Sequence, residues 1–83
     1  MQLTLRYFAA IREGLGIDTE PWQTQVQTLG ELRQELASRN ALYGAHLGHQ
    51  QVLRMAINQV MANEEVVLTD QAEVAFFPPV TGG

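Results

Sequence analysis

Residues 2–8 alternate in polarity: Leu3, Leu5 and Tyr7 fall on one side, Gln2, Thr4, Arg6 and Phe8 on the other. A period of two predicts a strand. Residues 9–15 predict a short helix, stopped by Gly14 and Gly16. Residues 18–24 form a weaker strand candidate that carries Pro21 and the only tryptophan, Trp22. Proline has no N–H to give to a ladder, so an edge strand suits it best. The clearest helix begins at Thr28. Thr28-Leu29-Gly30-Glu31 has the form of a capping box, in which the threonine hydroxyl accepts from the Glu31 N–H and the glutamate carboxylate reaches back. Leu29, Leu32 and Leu36 then recur at i, i+3 and i+7, one apolar stripe for a sheet, and Asn40 reads as the stop. Residues 41–51 are ambiguous, because Gly44 and Gly48 weaken any helix there. Residues 53–60 read as one strand with Met55 and Ile57 inward, Asn63-Glu64 as a turn, and residues 66–68 as a short strand. A second turn at 69–72 leads to a last strand, 73–77, with Val74 and Phe76 on one face and Ala75 and Phe77 on the other.

The order β, short α, β, α, β, β with one long helix predicts an α+β fold. One mixed sheet with the main helix packed on one face uses all the apolar positions. A β-grasp sheet, as in ubiquitin-like proteins, fits this order. The expected organisation is one domain over residues 1–79 and a flexible tail over 80–83.

Composition narrows the chemistry. The chain has 83 residues, 46% hydrophobic and 17% charged, enough for one small core and against extensive disorder. It has no cysteine, hence no disulfide, thiolate nucleophile or cysteine metal site. It has no lysine: the basic residues are Arg6, Arg12, Arg33, Arg39 and Arg54. With a formal charge of −4 and scattered arginines, it lacks the concentrated positive surface that nucleic acid requires. No apolar run approaches the ~20 residues of a membrane span, and the opening residues do not read as a signal peptide. A cytoplasmic protein is expected.

The most informative segment is the end. The last strand runs into Pro78-Pro79, where ladder pairing must thin out and extended backbone is favoured. Val80, Thr81, Gly82 and Gly83 follow, a tail that reaches roughly 13 Å at ~3.3 Å per residue. Glycines without Cβ atoms can enter a slot too narrow for side chains, and they leave a terminal carbonyl carbon unhindered. Chance alone produces a terminal glycine pair in about one chain in 200, so the pair acquires meaning only with the strand and prolines before it.

Residues 68–83, LTDQAEVAFFPPVTGG, closely resemble the C-terminus of the molybdopterin synthase small subunits, and residues 5–16, LRYFAAIREGLG, resemble that family's opening strand and helix. Residues 28–36 are similar to its main helix and 56–59 to its strand and turn, while 41–52 show no distinctive match. The resemblance implies a sulfur carrier. An adenylyltransferase resembling the ubiquitin-activating enzyme consumes ATP to adenylate the terminal glycine. A sulfur donor protein converts it to a thiocarboxylate, and the large subunit passes the sulfur to cyclic pyranopterin monophosphate. By the same resemblance Gly83 carries the sulfur and Gly82 gives narrow passage. Phe8 and Phe77, on the strand faces opposite the core positions, are expected to bind partners; the resemblance adds Met61 and implies a heterotetramer of two small and two large subunits, and Pro78, Pro79, Val80 and Thr81 are expected to bind partners as well. Such a subunit binds no cofactor and catalyses nothing alone.

Other readings stay open at this point: a carrier for thiamine synthesis, tRNA thiolation or protein conjugation, or a non-covalent β-grasp interaction module. His46 and His49 are one helical turn apart, but no third histidine or cysteine accompanies them, so no metal site is expected. Glu31, Glu35, Glu64 and Glu65 read as cap and surface charges. Arg12 reads as a solvated helix arginine.

Overall fold

The strand written last occupies the middle of the sheet. In the computed structural model, which describes residues 1–79, the elements are β1 (Gln2–Tyr7), α1 (Ala9–Leu15), β2 (Thr19–Gln23), α2 (Leu29–Ala37), α3 (Ala41–Leu47), β3 (Arg54–Ile57), β4 (Val60–Ala62) and β5 (Glu73–Phe77). The five strands lie in the order β2-β1-β5-β3-β4. β5 runs parallel to β1 and antiparallel to β3, while the β1–β2 and β3–β4 pairs are antiparallel hairpin-like ladders. This mixed sheet with helices over one face is a β-grasp fold.

The predicted alternation sets its core. Leu3, Leu5 and Tyr7 of β1, Val74 and Phe76 of β5, and Leu29, Leu32 and Leu36 of α2 are all at most 1% exposed. Each such side chain contributes about 1.5–3 kcal/mol by leaving water. Tyr7 stacks on Phe76 with ring centroids 5.8 Å apart. The capping box of α2 is present in both directions, with Thr28 Oγ1 accepting from the Glu31 N–H at 3.2 Å and the Glu31 carboxylate accepting from the Thr28 N–H at 3.0 Å. Pro21 sits on β2, an edge strand, as its missing N–H requires.

Four expectations are corrected. Gly14 does not end α1; it lies within it, and a Cβ there would collide with the imidazole of His46. The stop is Gly16 alone, left-handed at φ 81°. Asn40 does not end α2, whose C-cap is Ser38; instead Asn40 caps the next helix, its side chain accepting from the Tyr43 N–H. That helix, α3, forms through the ambiguous stretch because Tyr43 and Leu47, four residues apart, are both buried. Gly44 fits there by packing: a Cβ on it would stand 3.1 Å from the Ala37 carbonyl oxygen.

Residues 53–60 are not one strand. The chain reverses at Asn58 (φ 49°) and Gln59 (φ 69°), a two-residue hairpin turn joining β3 to β4. Asn58 is tied to β5 twice, donating from its N–H to the Glu73 carbonyl (2.8 Å) and accepting from the Glu73 N–H through its side chain (2.9 Å). Residues 66–68 form only an isolated bridge, Thr28 to Val67. Their segment instead satisfies the start of α2: the Leu29 N–H donates to the Val66 carbonyl and the Gly30 N–H to the Glu64 carbonyl.

Candidate functional site

β5 does two things at once. Its even positions, Val74 and Phe76, anchor it in the core, while Ala75 and Phe77 face the opposite, helix-free side of the sheet. The strand is held along its length from both sides, so its end is positioned firmly where Pro78 and Pro79 begin. Both prolines are half-buried. Val80, Thr81, Gly82 and Gly83 lie outside the described residues.

Three predicted partner-binding residues meet on that helix-free side. The Phe8 N–H donates to the Phe76 carbonyl (3.1 Å), extending the parallel ladder one step past β1. The backbone is extended at Phe8 (φ −127°, ψ 154°) and turns into the left-handed region at Ala9 (φ 52°) to enter α1. The Phe8 ring therefore stays on the outer face, edge-on to Phe77 at 6.4 Å. Met61 reaches the same side from β4, opposite Ala56, which pairs in turn with Ala75. The two alanines make a low floor between the aromatic pair and the methionine. Phe8 is 36% and Met61 54% exposed, a patch that a partner can cover. Arg6 borders it, its guanidinium 5.2 Å from the Phe8 ring centroid and 3.7 Å from the Glu73 carboxylate. Arg54 stands opposite Phe77 in the β3–β5 ladder. Arg12 lies elsewhere, exposed in a depression it shares with Glu13 and Asp18.

Behind the patch lies a polar cluster that sequence reasoning missed. Glu20 of β2 accepts from the Tyr7 hydroxyl (2.7 Å), the Tyr43 hydroxyl (3.1 Å) and the Arg39 guanidinium (2.8 Å). Burial pushes the Glu20 carboxyl up, but the hydrogen bonds from Tyr7 and Arg39 outweigh it, and the net shift is downward. Burial raises the Tyr7 hydroxyl well beyond its ordinary range, and the Glu20 carboxylate adds to the rise. Arg39 also stacks over Tyr43, 4.0 Å from its ring centroid. The cluster fixes the end of β1 from which Phe8 projects. Tyr7 precedes Phe8 directly, but nothing in the local sequence links either to Glu20, Arg39 or Tyr43.

Arg33 was equally hidden. It is 5% exposed and donates to the carbonyls of Leu47, Gly48 and Gln51, with Glu64 as its ion partner at 3.1 Å. Glu64 also meets His49 (2.8 Å), and the His49 hydrogen bond is the main reason its carboxyl is lowered. Glu64 and Glu35 are thus structural: Glu35 accepts from Trp22 and Thr24, tying β2 to α2. Glu31 is the cap residue expected. His46 packs on Gly14 while His49 pairs with Glu64, so the two histidines do not converge. No helix among the described residues is long and apolar enough to cross a membrane.

A model of the ThiS family matches residues 5–83. The molybdopterin synthase sulfur carrier subunit of Escherichia coli is 39% identical over 77 residues, covering 93% of this chain and 94% of that protein. Its counterpart in Haemophilus influenzae is 35% identical, covering 98% of this chain and 99% of that one. Among solved structures, a chain in the complex of subunits 1 and 2 of molybdopterin-converting factor from Helicobacter pylori superimposes with a TM-score of 0.68 at 27% identity, covering the whole of both chains.

Proposed function

The chain belongs to the ThiS family, and from that premise we propose that it is the sulfur carrier subunit of a molybdopterin synthase. The observation that carries this reading is the similarity to the Escherichia coli carrier along 93% of the chain, together with a central strand that ends at Pro78-Pro79, just ahead of Gly82-Gly83.

The chemistry follows from what a carboxylate lacks. It is a poor electrophile, so an adenylating partner must first join the Gly83 carboxylate to the α-phosphate of ATP, releasing pyrophosphate. A nucleophile at the oxidation level of sulfide then attacks the acyl carbon and expels AMP, leaving a thiocarboxylate. Its sulfur attacks a carbon of the pterin precursor and displaces an oxygen leaving group from it. Water then cleaves the acyl–sulfur bond of the resulting thioester, leaving a thiol on the precursor and regenerating the carboxylate. The large subunit supplies the acids and bases. This chain supplies the sulfur at Gly83, the unobstructed approach at Gly82 and the docking patch of Phe8, Met61 and Phe77, with residues 78–81 between them in the chain. No thiol in the chain competes for the sulfur and no lysine for the activated acyl group.

The test is intact mass spectrometry after incubation with ATP, the cognate activating enzyme and sulfide. A gain equal to sulfur replacing oxygen, absent when Gly83 is deleted, supports the carrier. An unchanged mass beside an active partner rejects it in favour of a binding module.

A further inference from the structure

The docking patch contains one charge that the fold leaves unanswered. Of the five arginines, three are matched within the chain: Arg6 by Glu73, Arg33 by Glu64 and Arg39 by Glu20. Arg12 is exposed beside Glu13 and Asp18. Arg54 differs. It is exposed on the outer face, directly across the ladder from Phe77 and two residues before the alanine that faces Met61. Among the described residues it has no ion partner within 4.0 Å. The carboxylate lining the same groove, Glu64, is already held by Arg33 and His49.

A guanidinium in this place has a consequence. When a partner covers Phe77 and Met61, Arg54 is stripped of water along with them. Removing a cation from water without a counter-charge costs several kcal/mol, more than one aromatic contact returns. An apolar partner surface would therefore be rejected at this point, and an acidic one selected. The rest of the chain points the same way: at a net charge of −4, it would repel an acidic surface anywhere except at such a cationic spot.

We propose that Arg54 is a specificity-determining residue of the docking face, and that its partner is a carboxylate on the large subunit that receives the tail. The inference rests on the sulfur-carrier reading and deepens it, adding a charged contact to an interface otherwise described by aromatic and aliphatic residues.

The experiment measures binding of the full chain to the purified large subunit by titration calorimetry, at low and at high salt. Wild type, Arg54→Met, Arg54→Lys and Phe77→Ser are compared, each first checked for an unchanged thermal midpoint. Arg54→Met keeps the length and apolar stem but removes the charge. It is expected to raise Kd about tenfold at low salt, equivalent to about 1.4 kcal/mol, and to flatten the salt dependence. Arg54→Lys, which keeps the charge, is expected to recover part of the affinity. If Arg54→Met binds as tightly as wild type with the same salt response, or more tightly, the assignment of Arg54 is overturned. If wild type itself does not bind, the synthase reading falls instead; Phe77→Ser confirms that any binding seen uses this face.

Discussion

Replacing Glu20 tests whether the polar cluster holds β1 in place. In Glu20→Leu the Tyr7 hydroxyl, on a residue 1% exposed, loses its acceptor. Leaving a buried donor unsatisfied costs about 1–3 kcal/mol. The Arg39 ion pair, at 28% and 15% side-chain exposure, adds about 0.5–1 kcal/mol after solvent screening. The expected total is about 1.5–4 kcal/mol, which in a domain of this size lowers the thermal midpoint by about 6–30 °C. Glu20→Gln keeps an acceptor but no charge, and should lose about half as much. The sign with pH follows from the direction of the shift. The folded state lowers the Glu20 carboxyl below its ordinary value of 4.5, so the ionised form stabilises the fold. That contribution is present above pH 4.5 and is lost as pH falls through the lower, folded value. Urea denaturation of wild type and Glu20→Gln between pH 7 and pH 3 reads both quantities. The gap between them should narrow on acidification. A gap below about 0.5 kcal/mol at neutral pH, or one that is flat across the series, refutes the reasoning.

Three further outcomes follow from individual residues. Arg33→Met removes the donor shared by three carbonyls and should destabilise by about 3 kcal/mol, with hydrogen exchange accelerating first around residues 47–51. Gln71→Gly relieves a left-handed φ of 68° at an exposed turn and should raise stability by about 0.5–1 kcal/mol in chemical denaturation; a loss would show that the side chain matters more than the backbone. Phe8→Ser, on a ring 36% exposed, should leave the midpoint nearly unchanged while weakening large-subunit binding about thirtyfold; equal binding would remove Phe8 from the docking face.

Elements governed by neighbours in sequence were legible; those governed by distant partners were not. The β1 alternation, the Thr28 capping box and the Leu29–Leu36 stripe are local signals, and each appears in the structure as expected. α3 was obscured because the cost of Gly44 is visible in the sequence, whereas its benefit, the close approach of Ala37, is tertiary. The 53–60 stretch misled because the alternation of Leu53, Met55 and Ile57 ends at Asn58-Gln59, a turn of two left-handed residues that no glycine marks. At the site, Phe8, Phe77 and Met61 were legible through pattern and resemblance together. Glu20, Arg39 and Tyr43 were not, since a strand, a helix connection and a helix contribute them and each alone looks like a surface residue.

The parallel pairing of β1 with β5 has a bearing on synthesis. A ribosome releases β1 well before β5, yet β5 is the strand that joins the two halves of the sheet. Until residues 73–77 emerge, the β1–β2 and β3–β4 pairs are not joined into one sheet, and a two-stranded pair is marginally stable at best in water. A product truncated anywhere before Phe77 is thus a substrate for proteases rather than a defective carrier. The topology makes the fold its own quality control: Pro78 and Pro79 are positioned only in a chain translated through the strand that positions them.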